Sequence, residues 1–130
     1  MRKNWKIGVL FCYMFILLSV TLLSREKSSQ AVNLEILRTY RRPNWQNYAN
    51  IITFIPLGFL LSLISFRFLW IGVAFSCFIE VSQFLFQRGE LDIDDIVSNS
   101  IGITIGICIY VLLLLIARIV RAINTDSEKQ

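Results

Sequence analysis

The sequence predicts an all-α integral membrane protein, a single bundle of four transmembrane helices whose first loop is either a short interfacial helix or a plain connection. Three observations carry this. Hydrophobic residues make up 55% of the 130-residue chain, which leaves too few polar side chains to coat a soluble globule of this size. The apolar residues fall into four runs near the ~18 to 20 residues that a helix needs to cross about 30 Å of hydrocarbon. Trp5, Trp45, Tyr48 and Trp70 stand at the ends of these runs, and amphipathic rings of this kind favour the headgroup level.

The first span is expected over about residues 7–23, behind Arg2, Lys3 and Lys6. A basic flank before an apolar run also fits a secretory signal peptide. No small-x-small cleavage site follows, because Ser24 leads straight into Arg25, Glu26 and Lys27, so the run is read as a permanent span. Cys12 follows Leu10 and Phe11 too early to be a lipidation site. The second span covers about 50–65, the third about 68–86 and the fourth about 101–117, closed by Arg118 and Arg121; a polar tail occupies 124–130. Together, residues 1–130 are read as a single transmembrane domain with no soluble module.

The connection from 24 to 49 is the only long one. Within it, Val32, Leu34, Leu37 and Tyr40 give AVNLEILRTY an apolar face suited to a helix lying at the interface; a plain loop fits the same residues. In the second span, Pro56 removes the donor that would bond the carbonyl of Ile52, so a kink is expected there. That freed carbonyl serves either packing or a site. In the fourth span, Gly102 and Gly106 in GITIG form a small-xxx-small pattern for close helix approach within the chain. Cys12, Cys77 and Cys108 all fall inside spans and are read as small buried apolar residues.

Lys and Arg divide almost evenly between the two sides of the membrane, seven on the side of the termini and six on the other. The basic flank of the first span favours both termini in the cytoplasm. Independently of orientation, four spans place the long first loop and the third loop on one side. Arg38, Arg41 and Arg42 are therefore expected to face Glu90, Asp92, Asp94 and Asp95.

The same geometry gathers the intramembrane polar residues. Ser76, Glu80, Gln83 and Gln87 are spaced 4, 3 and 4 and form one helical stripe on the third span. A carboxylate in the bilayer interior is disfavoured by roughly 2.5 to 3.5 kcal/mol even on the mild insertion scale, so Glu80 should face the bundle. At 1.5 Å per residue it lies about 10 Å below Gln87, within reach of Arg88 through a polar cleft. Asn50 enters the second span from this side and Asn99 opens the fourth. The candidate ligand-binding cleft therefore comprises Asn50, Glu80, Gln83, Arg88, Asp92, Asp95 and Asn99. For Glu80 the bland alternative is an interhelical hydrogen bond to Asn50 or Asn99, and for Gln83 packing is the stronger reading.

With no histidine in the chain, a histidine acid–base pair and a histidine-ligated zinc are excluded. The loop RGELDIDD carries carboxylates at alternate positions, but its glycine precedes them and no closing glutamate follows, so it is not an EF-hand. No resident metal or cofactor is expected; a looser divalent-cation site bridging to a phosphate remains an open alternative. Asp94 or Asp95 is also placed to cap the fourth helix. Nothing in the sequence points to nucleic acid, and it sets no oligomeric state.

These residues also resemble a known pattern, that of the VanZ-like family of small bacterial membrane proteins. The chain supplies Asn33-Leu34, then Asn50 with FIPLGF at 54–59, IEVSQ at 79–83, and finally Arg88, Asp92, Asp95, Asn99 and Gly102. It departs from the pattern at Glu35 and Ile36, where the family often has Pro-Phe, and at Ala49, often glycine. The resemblance implies a multi-pass protein of the bacterial cytoplasmic membrane, related to a determinant of teicoplanin resistance whose biochemical activity is unsettled.

Three functions fit these residues. The first is a non-catalytic protein whose cleft binds membrane lipids or lipid-linked envelope precursors and alters glycopeptide susceptibility. The second is an intramembrane metal-dependent enzyme acting on a phosphorylated lipid, with Asp92 and Asp95 at the ion and Glu80 as general base; it lacks an activated nucleophile. The third is a bundle serving as the subunit of a larger assembly.

Overall fold

A computed structural model describes residues 4–25, 32–33 and 45–127. Four helices, each long and apolar enough to cross a membrane, make up nearly all of it. Helix α1 spans Asn4–Leu23, α2 Trp45–Ile64, α3 Leu69–Leu85 and α4 Ile93–Ser127; one 3-10 turn, Phe66–Phe68, links α2 to α3. Two residues of the first loop, Val32–Asn33 (β1), pair in parallel with Leu91–Asp92 (β2), Val32 opposite Leu91 and Asn33 opposite Asp92. Arg38, Arg41, Arg42 and most of the candidate interfacial helix lie outside the described residues. Inside that stretch, Val32–Asn33 is extended rather than helical, because it completes a ladder with the third loop.

The distribution of side chains is that of a bundle solvated by lipid. Among the described residues the buried hydrophobic core is small: Leu10, Leu17, Phe54, Leu57, Leu61, Ile79 and Ile103. Buried polar and charged residues outnumber them, while large apolar side chains cover the outside. Trp5, Trp45, Tyr48 and Trp70 are all exposed, as interfacial anchors require. The three cysteines are free and also exposed, which corrects their reading as buried: their helical rotation turns them outward.

The most extensive contact joins α2 and α4, and glycine makes it possible. A Cβ on Gly102 would collide with the carbonyl oxygen of Ile51, one on Gly106 with that of Ile55, and one on Gly58 with that of Ile103. The small-xxx-small pattern thus packs α4 onto its own chain. Successive neighbours Asn47–Ser98, Ile51–Gly102, Ile55–Gly106 and Phe59–Tyr110 advance together along both helices, so α2 and α4 run parallel. Helix α1 runs antiparallel to α2: the Tyr13 hydroxyl donates to the Thr53 carbonyl at 2.5 Å, and Lys6 Nζ donates to the Leu63 carbonyl at 3.3 Å.

Pro56 lies within α2, which continues through it. Ile52 is 60% exposed and Pro56 is exposed as well, so the carbonyl freed by the proline belongs to the outward face.

Candidate functional site

The end of the bundle nearest the first and third loops is organised by how α3 stops and α4 starts. Helix α3 closes with the hydrogen-bond pattern of a Schellman cap: Gln87 N–H donates to the Phe84 carbonyl at 3.1 Å and Arg88 N–H to the Gln83 carbonyl at 2.8 Å. The cap requires a left-handed residue, and Gln87 takes it at φ 56°, although such residues are usually glycine. Gln87 is consequently exposed and leaves the stripe to which its spacing had assigned it. Gly89 serves elsewhere: it is buried, and a Cβ there would stand 2.7 Å from Arg25 Nη1.

Helix α4 starts at Ile93, well before the apolar run. Its cap is Asp92, whose Oδ1 accepts from the Asp94 N–H at 2.9 Å. That corrects the expectation that Asp94 or Asp95 caps the helix; with the helix beginning this early, both fall in its first turn, where the dipole favours negative charge. Both are buried.

Asp95 is held by Arg25. Arg25 Nη2 and Asp95 Oδ2 are 2.5 Å apart, with the side chains 15% and 8% exposed. Arg25 is the cation that sequence reasoning missed. It served there only to close the first span and in the charge tally, yet it is the first charge after α1 on the side of the acids. Its backbone carbonyl accepts from Arg88 Nη1 at 3.2 Å, so the end of α1 is tied to both α3 and α4.

Below this pair runs a polar seam between α3 and the neighbouring helices. Asn99 Nδ2 donates to Ser76 Oγ at 2.8 Å. One turn along α3, the Glu80 carboxylate, 1% exposed, has Asp95, Arg25 and Asp92 as its electrostatic neighbours, and the Asp92 backbone N–H faces it. A further turn along, Gln83 Nε2 donates to the Thr21 carbonyl of α1 at 3.3 Å. On α2, Asn47 Nδ2 donates to Ser98 Oγ at 3.3 Å, and Asn50 lies one turn beyond.

Among the described residues, four buried side-chain atoms have no hydrogen-bond partner: Asn50 Nδ2, Glu80 Oε2, Gln83 Oε1 and Asn99 Oδ1. Each belongs to a residue that the sequence placed in the cleft. Leaving such an atom unpaired costs about 1 to 3 kcal/mol, so four together are a feature that packing alone does not explain. Arg88 stands apart from these four atoms, lining a groove of about 270 Å³ with Leu22, Leu23 and Phe86. Among the described residues, no group of three or more His, Cys, Asp or Glu side chains is disposed to hold a metal ion.

All of these residues lie within a stretch matched by a known family model. The model described as VanZ/LLP1 matches residues 7–115, which include all of α2 and α3 and most of α1 and α4. The chain belongs to the VanZ/LLP1 family. It is a multi-pass membrane protein of that family, and Asn50, Ser76, Glu80, Gln83 and Asn99 of the seam all fall inside the matched region. No curated protein and no solved structure matches this VanZ/LLP1 chain.

Proposed function

We propose that this VanZ/LLP1 protein binds an envelope lipid or lipid-linked headgroup at the polar seam and thereby modulates glycopeptide susceptibility, teicoplanin included. The observation that carries the reading is the set of four buried, unpartnered polar atoms. Three are acceptors, Glu80 Oε2, Gln83 Oε1 and Asn99 Oδ1, and one is a donor, Asn50 Nδ2. Such a set suits a headgroup rich in hydroxyl or amide N–H donors. Arg88, in its apolar groove, adds a cation for an anionic oxygen and a wall for the start of an acyl chain. With the termini in the cytoplasm of a bacterium, this end of the bundle faces outward, where envelope precursors are used.

Within this reading Glu80 accepts hydrogen bonds from the headgroup, Arg25 and Asp95 hold the ends of α1 and α4 together, and Asp92 sets where α4 begins. The test is drug susceptibility of cells carrying Glu80→Gln or Asp95→Asn, at membrane levels matched to the parent. Loss of the glycopeptide phenotype in both is expected, and unchanged susceptibility in both contradicts the reading. Metal-dependent turnover of a phosphorylated lipid by the purified protein would replace binding with catalysis.

A further inference from the structure

Glu80 is a buried carboxylate for which the bundle holds no counter-ion of its own. Its side chain is 1% exposed, and Oε2 has no hydrogen-bond partner. The cation nearest in charge, Arg25, is already bonded through Nη2 to Asp95 Oδ2, while Arg88 is turned to the Arg25 carbonyl and to its own groove. Among the described residues Glu80 enters no ion pair. Two buried carboxylates thus share one guanidinium, and a buried charge left without a partner is strongly disfavoured.

The neighbouring unpartnered atoms are of one kind. Gln83 stands one turn along α3 from Glu80, and its amide has a fixed sense. A carbonyl only accepts, so the bond to the Thr21 carbonyl claims Nε2 and leaves Oε1 over. Asn99 arrives from α4, where its Nδ2 donates to Ser76 Oγ, one turn before Glu80 on the same face of α3. Its Oδ1 is left over as well. Glu80 Oε2, Gln83 Oε1 and Asn99 Oδ1 are therefore three buried acceptors beside one unbalanced negative charge.

The matching ligand group brings donors and a positive charge together. A hydroxyl or an amide N–H supplies a donor but leaves the carboxylate of Glu80 without a counter-charge. A quaternary ammonium has the charge and no donor, and is held by aromatic faces instead. A divalent metal ion takes about six or more oxygen ligands. A primary ammonium has one charge, three N–H donors and no acceptor, which fits the three atoms one to one.

We propose that the headgroup bound at this seam bears a primary ammonium, with Glu80 as its counter-ion and Gln83 and Asn99 completing its three hydrogen bonds; the inference rests on the seam being a headgroup site. The fourth unpartnered atom, Asn50 Nδ2, is a donor. Asn50 precedes Ile51, whose carbonyl lies against Gly102, one turn after Asn99. It therefore meets an oxygen of the same headgroup. An ammonium a short carbon link from an ester oxygen is the arrangement of an aminoethyl phosphate.

The test offers the full-length chain in detergent equal amounts of phosphatidylethanolamine, phosphatidylcholine and phosphatidylglycerol with identical acyl chains, and reads retained lipid by native mass spectrometry. The parent should retain phosphatidylethanolamine about ten-fold or more over either competitor, a comparison that depends on no variant folding. Glu80→Gln, which keeps the size of the side chain and removes its charge, should abolish that preference. Equal retention of the ethanolamine and choline lipids, or a preference for phosphatidylglycerol, overturns the ammonium and leaves a headgroup site standing. Binding of free ethanolamine by the parent but not by Glu80→Gln, with no lipid retained, keeps the ammonium site and assigns it to a soluble amine. Retention of neither lipid nor ethanolamine overturns both.

Discussion

Arg25 and Asp95, 70 positions apart in sequence, form a largely buried ion pair at 2.5 Å that joins the end of α1 to the first turn of α4. Removing one partner of such a pair leaves an uncompensated charge, at a cost of about 3 to 5 kcal/mol. Arg25→Met should therefore lower stability by about 3 kcal/mol, measured as unfolding in mixed detergent micelles. The double variant Arg25→Met/Asp95→Leu, with no charge left to desolvate, should recover most of the loss. A loss below about 1 kcal/mol in the single variant would show that the pair is solvated.

The cap of α3 gives a prediction of opposite sign. Gln87 holds a left-handed conformation at φ 56°, which costs an L-residue roughly 1 kcal/mol relative to glycine. Gln87→Gly should raise stability by up to about 1 kcal/mol in the same assay. Gly89→Ala should lower it, because the added Cβ meets the guanidinium of Arg25 at 2.7 Å and presses on the ion pair.

How much of this was legible in the sequence depended on whether a residue's role was local. The stripe of Ser76, Glu80 and Gln83 follows from helical periodicity, and Gly102 and Gly106 announce a close approach by size alone. Gln87 continued the same spacing, but a helix pattern carries no mark of a Schellman turn when its left-handed residue is not glycine. Asp92 was not visible as a cap because α4 begins in acidic sequence, eight positions ahead of its apolar run. Arg25 could be placed on the correct side of the membrane but not against Asp95, since that pairing depends on how α1 is rotated and how deep it sits. The outward position of Ile52 depends on rotation in the same way.

The α2–α4 contact should tolerate no side chain at its glycines. Gly102→Val places atoms against the Ile51 carbonyl and Gly106→Val against that of Ile55, and overpacking of this kind typically costs about 1 to 3 kcal/mol. Gly8, with nothing within 4 Å of its added Cβ, is the control: Gly8→Ala should not lower stability, and the helix preference for alanine should raise it by up to about 1 kcal/mol. Thermal unfolding of the three variants in one detergent makes the comparison.

The hydrogen bond from Asn99 to Ser76 at 2.8 Å links α4 to α3 inside the seam. Ser76→Ala removes the acceptor and leaves the Asn99 amide donor unpaired. A double-mutant cycle with Asn99→Ala should return a coupling of about 0.6 kcal/mol and no more than about 1.7, the average and upper value for polar pairs between membrane helices. Zero coupling would mean that Asn99 has another partner in the bilayer.

A lipid headgroup held at the unpartnered atoms of Asn50, Glu80, Gln83 and Asn99 should survive purification, and untargeted mass spectrometry can detect it among the lipids that copurify with the parent chain and with Glu80→Ala, prepared from equal amounts of folded membrane protein. The parent should retain a headgroup-bearing lipid, enriched over the bulk membrane, and Glu80→Ala should lose most of it. Identical lipid profiles, neither departing from the bulk membrane, would rule out a headgroup site at Glu80.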